Sequence, residues 1–195
     1  KEIPIAKGDK PDWWADGVIT EAKEEGLSRE LHHRLFETEA LASMASMVSP
    51  GYQYPVKEIG QAYYNNIMFD EHTWGFHNIY AKEHQQIFQQ KAGWLHTGLD
   101  NTQKMQTDAL AILVQQIARP EPSFIVINPL PWRNSFLVLL EGPVITDPEQ
   151  LINSKLIDPE TKKEIQGTLM NMNEQGTRFL FLAPDIPGFG YKSFK

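Results

Sequence analysis

Apolar residues recur with the period of an α-helix in the first half of the chain. Between residues 28 and 48 they occupy Leu31, Leu35, Ala42, Ala45 and Val48. Such spacing gathers them on one face of a helix, and Ser28 is a residue type that often caps helix N-termini. The pattern predicts a first helix over residues 28–48, preceded by a loop over residues 1–26.

The same period predicts two more helices. The second starts near Pro55, which suits the first turn of a helix, and its apolar positions are Val56, Ile59, Tyr63 and Ile67. The third covers residues 77–117 and contains no proline. Its two heptad rows are Phe88, Leu95, Thr102 and Ala109, and Lys91, Gly98, Met105 and Ile112. Two short helices beside one long helix predict a three-helix bundle.

The periodicity changes after residue 119, where Pro120 and Pro122 interrupt the helical pattern. Short β-branched and aromatic runs separated by turn residues follow, as is typical of antiparallel strands. The candidate strands cover residues 124–127, 136–140, 156–157, 165–172, 178–182 and 191–194, with a turn over residues 184–190. The expected architecture is α then β: a three-helix bundle domain over residues 1–119, then a partial antiparallel sheet or sandwich over residues 120–195.

Composition narrows the classes of function. The formal net charge is -7, which argues against nucleic-acid binding because phosphate contacts need a basic surface. No stretch approaches the roughly 20 apolar residues of a membrane helix, and residues 1–10 lack the apolar core of a signal peptide. We therefore expect neither nucleic acid nor a membrane as a partner. These expectations are compatible with a cytoplasmic location. The sequence has no cysteine, so a metal ion would be bound by His, Asp or Glu.

The stretch FDEHTWGF at residues 69–76 gathers reactive side chains between the second and third predicted helices. His72 is a candidate zinc ligand, since neutral imidazole is a common one, and Trp74 offers a flat face for a sugar ring. Asp70 and Glu71 are adjacent and would point about 100° apart on a helix, so they cannot flank one glycosidic bond. From the residues alone, a helix-capping turn with a solvated or buried histidine is the commoner explanation of His72.

Trp13 and Trp14 are adjacent in a turn-rich loop over residues 8–17. The pair is either a platform for a sugar ring or a structural element in which one tryptophan closes the end of the bundle, and the residues leave both interpretations open. Four further histidines have the pattern of solvated or rim residues: His32, His33, His84 and His96. Without a His-x-x-x-His pair, no single helix offers two metal ligands on one face.

Four segments occur in a distinctive order along the chain. They are WWADG at residues 13–17 followed by Arg34 and ETEAL at residues 37–41, EHTWG at residues 71–75, FIVINPLPW at residues 124–132, and PGFGY at residues 187–191. They resemble the aromatic loop, histidine motif, first strand with its Asn-Pro turn, and later Pro-x-x-Gly-Tyr turn of family 38 glycoside hydrolases, the α-mannosidases. The resemblance covers essentially the whole chain and corresponds to the middle and early C-terminal part of that family.

The resemblance implies roles for individual residues. His72 matches the histidine that supplies one of the family's four zinc ligands, and Trp14 matches the loop tryptophan that lines the mannose pocket. Thr73 stands where the family has an aspartate that touches sugar hydroxyls. Threonine keeps one hydrogen bond but carries no charge, which suggests a divergent, bacterial-type branch. The predicted substrate-binding residues are therefore Trp14, Thr73 and Trp74, and the predicted metal ligand is His72.

The resemblance also implies that the catalytic residues lie outside this chain. In the family, an N-terminal α/β barrel supplies the other zinc ligands and the carboxylate nucleophile of a retaining mechanism. We therefore expect an inactive fragment whose partners are that missing catalytic domain and an α-mannoside-type carbohydrate. An apolar face near the tryptophans and Phe76 predicts self-association of the fragment. The alternative is a non-catalytic carbohydrate-binding or assembly module, with Trp13, Trp14 and Trp74 as its binding face and His72 structural.

Overall fold

The computed structural model describes residues 5, 7–8, 21–71, 83–117, 123–142, 155–173 and 176–195. Within this part, three helices precede antiparallel sheets, which confirms the predicted α-then-β fold class. The chain divides into two compact units, Lys1–Ala42 with Gln53–Ala109, and Ser43–Tyr52 with Leu110–Lys195. The predicted domain boundary at residue 119 falls within residues 118–122, outside the described part.

The first helix, α1 (Ala22–Val48), begins at Ala22 rather than at Ser28. Ala, Lys and Glu are strong helix formers, and Glu24 and Glu25 in the first turn interact favourably with the positive end of the helix dipole. Gly26 lies inside the helix and costs about 1 kcal/mol relative to alanine, which is too little to end it. Ser28 is therefore not an N-cap, and its side chain is buried.

The second helix, α2 (Val56–Asp70), begins directly after Pro55, close to the predicted position. The predicted face is correct in part: Ile59 is buried and Tyr63 packs against the core, whereas Val56 and Ile67 are 68% and 64% exposed. The residues that it buries are Ile59, Ala62, Asn65, Asn66 and Phe69. Two of these are asparagines, which a pattern of apolar residues cannot assign to a core.

The third helix, α3, is described over His84–Gln116, and its predicted first turns over residues 77–82 lie outside the described part. Both predicted heptad rows contribute to the buried face, on which Leu95, Thr102 and Ala109 are fully buried. Gly98 lies on the same face, where an added Cβ would be 2.7 Å from Leu31 Cδ2. The absence of a side chain at this position therefore allows α1 and α3 to approach closely.

Contacts between the helices show that α1 and α3 run parallel and that α2 runs antiparallel to both. Between α1 and α3, Leu31 lies beside Gly98 and Arg34 contacts Gln103. Between α1 and α2, Ser28 contacts Asp70 and Glu39 contacts Tyr63. The apolar core among them comprises Leu31, Leu35, Ile59, Ala62, Phe69, Leu95 and Met105. The start of α1, the end of α2 and the start of α3 consequently lie at the same end of the bundle.

The strands are β1 (Phe124–Asn128), β2 (Asn134–Gly142), β3 (Leu156–Ile157), β4 (Glu164–Ile165), β5 (Gly167–Asn173), β6 (Gly176–Ile186) and β7 (Gly190–Phe194). One sheet has the order β2-β6-β5, and β1–β7 and β3–β4 form two-stranded sheets, all antiparallel. The single strand predicted over residues 165–172 is in fact two strands, because β4 and β5 pair with different neighbours. The core of this unit comprises Leu156, Phe181, Ala183, Ile186 and Phe194.

An irregularity in β6 accommodates Pro184, which the sequence predicts to begin a turn. Opposite β2, the pairing of β6 shifts by one residue between Ala183 and Ile186, and Asp185 has a φ of 61°. Proline has no backbone N–H for the sheet, so a bulge is one of the few sites within a strand that suit it. The strand therefore continues to Ile186, and the turn is confined to residues 187–189.

Two of the segments that carry the sequence resemblance meet in the second unit. The Asn128 side chain is fully buried, and its amide donates to the backbone carbonyls of Trp132 (2.8 Å) and Ile186 (3.1 Å). Gly188 packs against the same turn, because an added Cβ would lie 2.5 Å from the backbone of Pro131. The Asn-Pro turn and the Pro-x-x-Gly-Tyr turn are therefore parts of one folded element.

Candidate functional site

The residues that the sequence singles out for zinc and sugar binding lie outside the described part of the chain. They are Trp13, Trp14, His72, Thr73 and Trp74, and their roles stay predictions. The described residues that adjoin them are Glu21 at the start of α1, Glu71 after α2, and Glu83 before α3. Because these three positions lie at the same end of the bundle, the fold brings the attachment points of both predicted binding segments together.

The carboxylate of Asp70, the last residue of α2, contacts side chains of α1. Ser28 Oγ donates to Asp70 Oδ1 (2.6 Å), and His32 Nε2 lies 2.6 Å from Asp70 Oδ2. Asn66, one turn earlier in α2, donates to Asp70 Oδ2 as well (2.9 Å). Ser28 and Asn66 are buried, whereas His32 is exposed. Both oxygens of the Asp70 carboxylate are therefore engaged by groups of the bundle.

Glu71, the residue after Asp70, contacts a side chain of α3. Lys91 Nζ donates to Glu71 Oε2 (3.0 Å) and to the Glu71 backbone carbonyl oxygen (3.0 Å). The Lys91 side chain is 8% exposed and shares a heptad row with Gly98 and Met105, where an apolar residue is the usual occupant. A buried ammonium group is costly unless it is paired and hydrogen-bonded. The two contacts with Glu71 therefore account for a lysine at this position.

The same end of the bundle carries several interacting carboxylates. Burial raises the pKa of Glu25, and the nearby Asp70 carboxylate raises it further. Burial also raises the pKa of Glu21, an effect that Glu24 increases and His84 opposes. These acids repel one another, so a positive charge close to this end would reduce the repulsion.

The described donor groups around the end of α2 do not by themselves form a metal site. Within the described ranges, no group of three or more His, Cys, Asp or Glu side chains is placed to bind a metal ion. The carboxylates of Asp70 and Glu71 are engaged by α1 and α3, as described above. An imidazole at position 72 is a suitable zinc ligand, but a zinc site takes at least three protein ligands.

Sequence reasoning missed the polar residues that hold the end of α2. It assigned Ser28 to a cap and placed Lys91 in a heptad row without naming a partner. It placed His32 correctly at the exposed surface but did not predict its contact with Asp70. A signal was present, because a polar side chain at a core position needs a buried hydrogen-bond partner. The identity of that partner depends on which helices are neighbours, which the pattern within one helix does not contain.

Comparison with known proteins shows that the fold of this chain is similar to parts of known glycoside hydrolase structures. No family model and no curated protein matches the sequence. Solved structures do match the fold, and two of them are bacterial glycoside hydrolase proteins. At identities below one fifth, such a match establishes the architecture and leaves activity to be tested.

The first of these is a protein in the glycosyl hydrolase family 38 from Enterococcus faecalis, with a TM-score of 0.58 and 16% sequence identity over 89% of this chain and 24% of that chain. The second is an alpha-mannosidase from Enterococcus faecalis V583, with a TM-score of 0.52 and 18% identity over 83% of this chain and 22% of that chain. The resemblance inferred from the sequence is thereby confirmed at the level of the fold.

The chain spans about a quarter of the length of these two structures. Functions that need a whole glycosidase therefore cannot be assigned from the match itself. Among the described helices, none is long and apolar enough to cross a membrane.

Proposed function

We propose that this chain is part of a zinc-dependent, retaining α-mannosidase-like glycoside hydrolase, to which it contributes one zinc ligand and part of the sugar pocket. The observation that carries the proposal is the fold, which matches a family 38 structure over 89% of this chain. The four sequence segments support it, because they occur in the same order as in that family.

In this proposal, His72 binds zinc through a neutral imidazole nitrogen, and a neighbouring catalytic domain provides the other ligands. Bound zinc supplies a Lewis acid that orients sugar hydroxyls. Trp14 and Trp74 stack on the sugar ring and exclude water, and Thr73 makes one hydrogen bond to a hydroxyl. The two carboxylates of the retaining reaction, one acting as nucleophile and the other as acid and base, belong to the catalytic domain.

Hydrolysis of an aryl α-mannoside tests these roles of the chain and of the catalytic domain. We expect no turnover by the isolated chain with added zinc, because it lacks the nucleophile and the other ligands. The full-length protein that contains the chain should hydrolyse the substrate, and His72→Ala should remove both its zinc and its activity. His96→Ala is the matched control, since His96 is an exposed histidine of α3, and it should change neither. Robust turnover by the isolated chain, or a His72→Ala protein that retains its zinc, would refute the proposal.

The alternative, a non-catalytic carbohydrate-binding or assembly module, gives a different result in the same experiment. The isolated chain would bind α-mannosides without zinc, and Trp74→Ala would abolish that binding. The full-length protein would show no hydrolysis with or without zinc.

A further inference from the structure

We infer that two copies of this chain pair through strand β2, with the two β2 strands lying antiparallel along the edge that faces away from β6. Among the described strands, β2 pairs only with β6 and so lies at one edge of the three-stranded sheet. The inference concerns the second unit alone. It does not depend on the proposed function, so either can fail without the other.

Strand β2 lacks the features by which proteins usually protect a sheet edge. Protected edge strands are commonly short, or carry a proline, a lysine or a bulge that prevents another strand from pairing. β2 is nine residues long and contains neither proline nor lysine. From Phe136 to Gly142 it pairs with β6 residue for residue, since the irregularity described above lies in β6. The outer edge of β2 therefore offers a regular row of backbone groups to a further strand.

The outward face of β2 adds apolar side chains beside this edge. Val138 and Leu140 pack against the core of the unit, whereas Leu137 and Leu139 lie on the other face and are 69% and 45% exposed. Leu182 lies opposite Leu137 on β6 and is 53% exposed. Side chains on one face of neighbouring strands contact each other directly or diagonally. Pairing of two β2 strands would therefore bring the exposed leucines of both copies together.

The charges at the two ends of β2 favour a second copy of the same strand as the partner. Arg133 directly precedes β2 and Glu141 lies near its end, and both side chains are more than half exposed. In an antiparallel pair with a two-fold axis at Leu137, Glu141 of each copy lies opposite Arg133 of the other, because residues 133 and 141 are equally far from residue 137. A two-fold interface needs a surface that is complementary to itself, and β2 has this property.

The two charged side chains are available for contacts between copies. Within one chain, Arg133 pairs with Asp185 and Glu141 pairs with Arg178, and all four side chains are at least half exposed. Exposed ion pairs of this kind contribute little to stability. Contacts of Arg133 and Glu141 with a second copy would therefore cost little within each chain.

The size of the surface predicts a weak dimer that forms only at high concentration. A standard interface covers about 800 Å² of each partner. One paired strand with its neighbouring side chains covers less than this, which is typical of transient association.

Sedimentation velocity of the 195-residue chain over a range of concentrations measures the association, and we expect a monomer–dimer equilibrium. Glu141→Lys places like charges opposite each other twice in each dimer, and so does Arg133→Glu. Each single change should raise the dissociation constant of the dimer by about tenfold. The double variant restores opposite charges between the copies and should return the constant to within about threefold of the wild type.

The double variant isolates contacts between copies, because it still lacks both exposed ion pairs within each chain. A chain that stays monomeric at every concentration would overturn the inference. A double variant that associates as weakly as the single variants would overturn it as well.

Single cysteines locate the two-fold axis. The sequence has no cysteine, so one introduced cysteine can form a disulfide only with its counterpart in a second copy. Leu137→Cys lies on the inferred axis, where directly opposite Cα atoms are about 4.5–5.5 Å apart, a separation that a disulfide can span. Mild oxidation should therefore give a covalent dimer. Leu182→Cys is the matched control, since Leu182 is exposed on the same face but belongs to the inner strand β6, and it should remain monomeric.

The cysteine variants distinguish edge pairing from other arrangements. If Leu182→Cys forms the covalent dimer as readily as Leu137→Cys, the copies stack through the leucine face and the inference fails. It also fails if neither variant forms a dimer. A dimer that forms in the isolated chain but not in the full-length protein would show that another part of that protein covers β2, and would overturn the inference. If a cysteine variant does not fold, as judged by circular dichroism, the charge variants decide, because their side chains are exposed.

Discussion

Asp158 and Lys192 form an ion pair within the second unit, with side chains 3% and 11% exposed. Asp158 Oδ2 accepts from Lys192 Nζ (3.1 Å), and Oδ1 accepts from the backbone N–H groups of Glu160 (2.9 Å) and Thr161 (3.3 Å). Burial opposes ionisation of Asp158, but these hydrogen bonds outweigh it and hold the pKa below its ordinary value. The ion pair connects the β3–β4 hairpin to β7.

We predict that Asp158→Asn lowers the free energy of unfolding at pH 7 by about 3 kcal/mol, because it leaves the Lys192 ammonium group, whose side chain is only 11% exposed, without its counter-charge. The pKa of Asp158 is lower in the folded than in the unfolded chain, so its contribution is complete above the unfolded value of about 3.9 and is lost as the pH falls through the folded value. Urea unfolding from pH 7 towards pH 3 should show the difference between wild type and variant shrinking below about pH 4.

Asp185→Asn is the control for Asp158→Asn. Asp185 pairs with Arg133 over 3.1 Å, but both side chains are largely exposed, and asparagine tolerates the left-handed backbone at this position. It should change stability by no more than about 0.5 kcal/mol at any pH. An effect of Asp158→Asn that is independent of pH would contradict the charge-based explanation.

At the scale of elements, the helical bundle depends on close contact between α1 and α3. Periodicity alone predicts the heptad rows of α3, because a buried helix face repeats with the helical turn. It does not show that Gly98 faces Leu31, since that contact depends on the relative position of two helices. The same limitation explains why the buried face of α2 was misassigned in part, where two asparagines replace apolar residues.

A pair of glycine substitutions in α3 tests this contact. Gly98→Ala places a methyl group 2.7 Å from Leu31 Cδ2 in the present geometry, and the overpacking should lower the free energy of unfolding by about 1–3 kcal/mol. Gly93→Ala places its methyl group in open space and should raise that free energy by up to about 1 kcal/mol, through helix propensity. Chemical unfolding of both variants measures the contrast. The two variants should change the free energy of unfolding in opposite directions, so stabilisation by Gly98→Ala would exclude the close contact.

At the scale of the whole molecule, the chain matches about a quarter of two glycoside hydrolase structures. In the described part of the chain, no cluster of ligand-type side chains completes a metal site, and the candidate ligand His72 directly follows Glu71 in the sequence.

We predict that zinc does not stabilise the isolated chain. A ligand stabilises a fold by an amount that grows with the logarithm of its concentration divided by its dissociation constant. One imidazole binds zinc too weakly to move the unfolding temperature by more than about 1 °C. The full-length protein should instead lose several degrees on chelation. Thermal scans with added zinc and with EDTA measure both. Stabilisation of the isolated chain by zinc that disappears in His72→Ala would show that this chain holds a complete site.

The order of the helices and strands could be predicted from the sequence, because the spacing of apolar residues indicates which face of each helix or strand can be buried. The sequence determined most strand positions, the heptad rows of α3, and the family resemblance that the fold confirms. It also identified the turn segments around Asn128 and Gly188, although not that they meet.

Tertiary structure alone decided which polar residues are paired. Ser28 with Asp70, Lys91 with Glu71, and Asp158 with Lys192 are far apart in sequence, and a polar residue in a pattern shows only that it needs a partner. Local helix propensity accounts for the start of α1 at Ala22, whereas the burial of Ser28 depends on its partner Asp70 on α2. The physical reason is the same in each case: hydrogen bonds and ion pairs depend on distances between elements, whereas periodicity describes one element at a time.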